Sequence, residues 1–149
     1  MNLKFPSKRS NNKATPKGWG DELVIHANEK YCVKILTLNK GGECSLHFHT
    51  EKEESFLVLE GRVDVELFFN LERSVVTLET GESIDIPPFM AHRFKAQVDS
   101  KLLEASNQDK EEDDLIRIEG GDTQKAKVLP ISNKDFSAWE GKCRTRLGL

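Results

Sequence analysis

Between Tyr31 and Ser106 the chain reads as a succession of short β-type runs, each closed off by turn residues, and this cadence restricts it to packed or closed antiparallel sheets. The runs are Tyr31–Leu38, Ser45–His49, Ser55–Glu60, Arg62–Phe69, Ser74–Leu78, Ser83–Ile86, His92–Ala96 and Lys101–Ser106. Each is close to the common strand length of about 5–6 residues. Asn39-Lys40-Gly41-Gly42, Glu60-Gly61, Asn70-Leu71-Glu72-Arg73, Thr80-Gly81-Glu82 and Pro87-Pro88 supply the turns between them. No helical periodicity intervenes, so long helices are not expected in this stretch. Alternation is cleanest around Arg62–Leu67, with Val63, Val65 and Leu67 facing inward and Asp64 and Glu66 outward. Phe56-Leu57-Val58-Leu59 is continuously apolar, which suits a strand covered on both faces. The fold expected is an all-β barrel or jelly roll.

At 149 residues the chain is long enough for one domain with a real core and too short for two ordinary enzymatic domains. Residues 1–18 hold Lys4, Lys8, Arg9, Lys13 and Lys17 without an acidic residue and read as a flexible basic arm. The barrel is expected over 19–122 and a C-terminal extension over 123–149, where Ser132 or Asn133 caps a short helix running to Trp139. Net charge of −3 and a pI near 5.8 exclude the domain-wide basic footprint of a nucleic-acid binder. Cys32, Cys44 and Cys143 are odd in number and form no C-x-x-C, which fits a reducing compartment and a cytoplasmic location. No apolar stretch approaches the roughly 18 residues of a membrane span. A homodimer is expected.

Within this frame three of the four histidines fall into one spacing: Gly41-x5-His47-x-His49-x4-Glu54-x6-Gly61, then His92. Residues at i and i+2 of a strand project from the same face, so His47 and His49 look the same way. Imidazole and carboxylate together suit borderline divalent ions, namely Zn, Mn, Fe, Ni or Co, and not Mg or Ca. Four protein ligands on an octahedral ion leave two positions for substrate or water. His47, His49, Glu54 and His92 are therefore the expected metal ligands. Glu51, Lys52 and Glu53 read as solvated turn charges, and His26 as a packing or surface residue. Arg93, next to a ligand, is directed to the opposite face by strand alternation.

These residues also carry a resemblance. Gly41-x5-His47-x-His49-x4-Glu54-x6-Gly61 resembles the first motif of the cupin superfamily, and Gly81-x5-Pro87-x4-His92 part of its second, with Phe89 and Ala96 replacing the usual glycine and asparagine. A narrower similarity is to the type II mannose-6-phosphate isomerase cupin domain. It rests on Trp19-Gly20, on Ile86-Pro87 through His92-Arg93-Phe94, and on Glu112-Asp113-Asp114-Leu115-Ile116-Arg117 with Glu119. That family closes the last segment with Tyr-Gly-Arg, where this chain has Gly120-Gly121-Asp122-Thr123, and tends to carry glutamine in place of His47. The resemblance implies a double-stranded β-helix barrel with the ion in its lumen.

It also implies a metal-dependent aldose–ketose isomerase acting on a small, sugar-like phosphorylated substrate. Phe56, Met90, Phe94 and Arg117 are the candidates for contacting that substrate, Arg117 through phosphate or, equally, as a surface ion pair. No catalytic base is identifiable from the residues alone. Two other readings stay open: an iron-dependent cupin dioxygenase, and a non-catalytic cupin that binds a small molecule.

Overall fold

The computed structural model describes residues 12–69, 72–107 and 114–123. Lys4, Lys8, Arg9, Glu112, Asp113, Cys143 and the expected helix ending at Trp139 lie outside the described residues. Eleven strands are seen among those described: β1 (Thr15–Lys17), β2 (Gly20–Ala27), β3 (Cys32–Leu38), β4 (Leu46–His49), β5 (Glu54–Glu60), β6 (Arg62–Phe69), β7 (Glu72–Glu79), β8 (Ser83–Ile86), β9 (Ala91–Ala96), β10 (Ser100–Ser106) and β11 (Leu115–Glu119). They form two antiparallel sheets, one ordered β1-β2-β3-β10-β5-β8 and the other β11-β4-β9-β6-β7. This is the jelly-roll arrangement expected from the strand cadence. No described helix is long and apolar enough to cross a membrane.

The inner face of the first sheet is built in layers. Strand alternation on β3 buries Cys32, Lys34, Leu36 and Leu38, and on β10 it buries Ser100, Leu102, Glu104 and Ser106. Registers place Val58, Leu102 and Leu36 side by side, then Phe56, Glu104 and Lys34, then Glu54, Ser106 and Cys32. One end of this face is therefore apolar and the other charged. Val63, Val65, Phe94 and Ala96 of the second sheet close the apolar core from the other side. The charged end is where the histidines arrive.

β1, β2 and β11 are additions to the expected strand set. Thr15–Lys17 pairs with Gly20–Glu22, so the end of the expected basic arm is ordered sheet edge. The polar segment Gly20–Ala27 becomes a strand because β3 supplies its ladder partners. Gly20 has φ of 149°, and a Cβ there would collide with the Thr37 carbonyl oxygen. At the Pro87–Met90 turn Phe89 adopts φ of 67°, the left-handed conformation that glycine adopts more readily. Its amide donates to the His49 carbonyl oxygen at 2.7 Å, and its ring stacks on Phe48 at 6.2 Å, which offset part of the strain of roughly 1–2 kcal/mol.

Candidate metal centre

β4 puts His47 and His49 on one face, and β9 sets His92 directly opposite His47 in register. Ring centroids are 4.7 Å apart for His47 and His92, 5.3 Å for His47 and His49, and 6.4 Å for His49 and His92. Glu54 opens β5 in the opposing sheet. Its Oε2 approaches His92 Nε2 to 3.2 Å, and its Oε1 approaches His49 Nε2 to 3.6 Å. The four residues separated in sequence thus meet at the charged end of the barrel.

Second contacts set the direction of each ring. His47 Nδ1 donates to the Ser45 carbonyl oxygen at 2.7 Å, and His92 Nδ1 to the Met90 carbonyl oxygen at 3.0 Å. His49 Nδ1 faces Asp114 Oδ2 at 3.4 Å. His47 and His92 are thus tied back through Nδ1, which leaves their Nε2 lone pairs for the shared space, the usual orientation of ligating histidines, whereas His49 Nδ1 is buried beside Asp114 without a hydrogen bond among the described residues. His92 Nε2 and Glu54 Oε2 are buried and, despite their proximity, not aligned for a hydrogen bond; neither has a hydrogen-bond partner among the described residues.

Burial, reinforced by the neighbouring His92, lowers the His47 imidazole to about 3, and burial also lowers His49. Burial alone would raise the Glu54 carboxyl, yet His92, Lys52 and His49 together hold it well below the usual carboxylate range. Neutral imidazoles and an ionised carboxylate are the protonation states that a divalent ion requires. Among the described residues no group of three or more His, Cys, Asp or Glu side chains is arranged so that it could hold a metal ion as it stands. The donor types, the two tied-back imidazoles and the orphaned His92 Nε2 and Glu54 Oε2 nonetheless suit a borderline divalent ion.

Three charged residues at this site were not expected there. Lys52, read from sequence as solvated, is 2% exposed. Its Nζ lies 2.6 Å from Glu54 Oε1 and 2.8 Å from Glu104 Oε1. The turn folds inward because Asp114 accepts the backbone N–H groups of Thr50, Glu51 and Lys52, each within 3.0 Å. Those hydrogen bonds outweigh burial and keep the Asp114 carboxyl low. Burial raises Glu104 to about 7 despite Lys52 beside it. Burial would lower the Lys52 ammonium, but Glu104 and Glu54 reverse the effect and raise it. Glu51 and Glu53 are exposed, as expected.

An open cleft with roughly 590 Å³ of free space leads to these groups. Phe56 and Phe94 line it; Met90 packs against the apolar core, and its part in the site is the carbonyl that orients His92. Arg117 stands in register with His47 on β11 and lines the cleft, as do Lys17 and Glu22. Arg93 faces away and binds Glu66 and Glu43.

Residues 7–120 match the family of mannose-6-phosphate isomerase C-terminal domains. The chain belongs to that family. A mannose-1-phosphate guanylyltransferase of Salmonella muenchen is 30% identical over 104 residues, 68% of this chain and 21% of the relative. The chain thus spans about a fifth of the length of such relatives. Among solved structures, the capsular polysaccharide assembling protein CapF of Staphylococcus aureus superposes with a TM-score of 0.65 at 18% identity, over 72% of this chain and 34% of that one. An RmlC-like cupin from Shewanella frigidimarina superposes at 0.62 and 19% identity, over 74% of this chain and 96% of that one. The fold is therefore the one that the histidine spacing suggested, and the family the one that Trp19-Gly20, Ile86–Phe94 and the acidic segment to Arg117 suggested.

Proposed function

We propose that the chain is a metal-dependent aldose–ketose isomerase for a phosphorylated sugar, with His47, His49, Glu54 and His92 as the ligands of a divalent transition ion. The observation that carries this reading is the convergence of three imidazoles, two of them anchored through Nδ1, and an ionised carboxylate beneath a cleft lined by Lys17 and Arg117. The family name and the guanylyltransferase relative, whose named substrate is a mannose phosphate, point to the same substrate class.

A bound ion would polarise the substrate carbonyl and make the neighbouring C–H more acidic. The chain's own residues do the rest. Phe56 and Phe94 form an apolar wall that sheds water from the reacting carbons, and Arg117 is placed to pair with a phosphate at the rim. The Ser45 and Met90 carbonyls fix His47 and His92, and Asp114 sets a negative charge 3.4 Å from His49 Nδ1.

The test is to load purified protein separately with Mn, Fe, Co, Ni and Zn and to follow interconversion of mannose 6-phosphate and fructose 6-phosphate. Turnover with at least one ion is expected, and His49→Ala should empty the site by elemental analysis. No turnover with any ion would defeat the isomerase assignment. Full metal content in His49→Ala would defeat the ligand assignment. A second reading, a ligand-binding cupin without turnover, draws on the Lys52 ammonium already paired with Glu54. It predicts saturable sugar-phosphate binding by calorimetry in protein that turns nothing over.

A further inference from the structure

Building on the isomerase reading, we propose that Glu104 is the catalytic carboxylate that carries the proton between C1 and C2 of the sugar. Glu104 is 4% exposed, yet it lines the same cleft as the four ligand residues. It sits on β10 one layer from Glu54, with Phe56 on one side and Lys34 on the other. Lys52 binds both carboxylates with one ammonium, so Glu104 and Glu54 are held within the span of two short hydrogen bonds. A carboxylate offers about four lone-pair sites, and one N–H from Lys52 leaves acceptor capacity for a substrate proton.

The other titratable groups lining the cleft do not suit the task. The three histidines and Glu54 are committed as ligands. The Cys44 thiol is pushed up to about 12 by burial and stays protonated. Glu22 is paired with both Lys17 and Lys34. Arg117 cannot accept a proton near neutrality. Glu104 remains, and with Lys52, Lys34 and Glu54 facing it, burial holds it near 7, where acid and base forms coexist.

The reaction balances without an external co-reactant. In the open-chain aldose the Glu104 carboxylate removes the proton from C2. The C–H electron pair becomes the C1=C2 double bond, and the C1 carbonyl π pair moves onto O1. The O2 hydroxyl proton then passes to O1. Return of the proton from the Glu104 carboxylic acid to C1 uses the C1=C2 pair, and the O2 lone pair closes the C2 carbonyl of the ketose. Electrons are neither gained nor lost overall.

The test compares manganese-loaded wild type, Glu104→Gln and Glu104→Asp with mannose 6-phosphate in D2O, following ketose formation and C2 deuterium incorporation by NMR. Glu104→Gln is expected to lose about 10²- to 10⁴-fold in kcat and in exchange, with KM within a few-fold and metal content unchanged. Loss of metal or a raised KM with kcat intact would reveal a structural role only and overturn the proposal. So would a Glu104→Gln enzyme within tenfold of wild type. If Glu104→Gln does not fold, Glu104→Asp decides, because it keeps the charge that Lys52 requires while withdrawing the carboxylate by one methylene. A tenfold or greater fall in exchange supports the assignment, and wild-type exchange removes it. Wild type that neither isomerises nor exchanges removes the isomerase reading and Glu104 with it, an outcome distinct from an active Glu104→Gln enzyme.

Discussion

Replacing Lys52 with Met tests the buried charge cluster directly. The substitution keeps an unbranched apolar stem and deletes the ammonium that lies 2.6 Å from Glu54 and 2.8 Å from Glu104. All three residues are at most 4% exposed, so solvent screens the loss very little. Breaking a buried ion pair by removing one partner costs about 3–5 kcal/mol, because the remaining charge stays buried. That cost depends on pH in a definite direction. The Glu104 carboxyl already stands above its ordinary 4.5, at about 7, and without Lys52 it rises further. A group whose folded pKa is raised contributes no penalty below its unfolded pKa and an increasing one as pH climbs through the folded value. Metal-free Lys52→Met should therefore lose about 1–2 kcal/mol at pH 5 and about 3–5 kcal/mol at pH 8.5. Urea titrations would show the latter as a midpoint lowered by about 1.5–3 M. Adding Glu104→Gln to Lys52→Met should restore most of the loss, since the unpaired carboxylate is gone. A loss below about 1 kcal/mol at pH 8.5, or equal losses at both pH values, would refute the coupling argued here.

Asp114→Asn keeps the shape but weakens the acceptor for the Thr50, Glu51 and Lys52 amides and the anchor for His49; a stability loss of about 1–3 kcal/mol and a 10- to 100-fold fall in metal affinity are expected, measured by urea titration and competition with a chelator. The metal-free protein should lose stability as pH falls from 6.5 towards 3, because the His47 pKa is depressed on folding and its contribution is present only above the unfolded value. His47→Gln should flatten that acid limb by about 1–3 kcal/mol, and superimposable acid titrations of the two proteins would count against it. Gly61→Ala should cost more than Gly81→Ala in thermal denaturation although both have positive φ, at 92° and 89°. The added Cβ meets Ser100 and the Asp99 carbonyl at Gly61, while at Gly81 it meets open space and only the strain of about 1 kcal/mol remains. Equal costs at the two positions would show that strain alone matters.

What could be read from sequence, and what could not, divides along the range of the interactions. β6 and β8 have the expected bounds, and β3, β4, β5, β9 and β10 begin within one residue of them, because alternation and turn residues are local signals. β11 owes its order to β4, far away in sequence, while β2 pairs with the neighbouring β3 and went unread because its polar sequence carries little strand signal. The convergence of His47, His49, Glu54 and His92 was legible because their spacing reports strand geometry. Lys52 was not, since its burial depends on carboxylates at 54 and 104 and on a turn held by Asp114, 62 residues away in sequence. Asp114 did leave a trace, as it belongs to the acidic segment running to Arg117 that carried the family resemblance, but nothing in that segment told which amides it would cap.

Lys34 and Glu104 show that part of the missing site was recoverable by the same rule that found the barrel. On β3 the alternation that buries Leu36 and Leu38 also buries Lys34, and on β10 the phase that buries Leu102 also buries Glu104. Following the period without exempting charged residues puts a lysine and a glutamate inside. A buried lysine requires a carboxylate, so two adjacent strands in opposite charge at one layer imply each other as neighbours, which is how they are registered. Stability alone would favour apolar residues at both positions, given that well-packed apolar replacements of buried ion pairs are often neutral or stabilising. Charges kept inside a barrel at that potential cost, in the layer next to Glu54 and the histidines, are what the proposed role of Glu104 accounts for and the needs of folding do not.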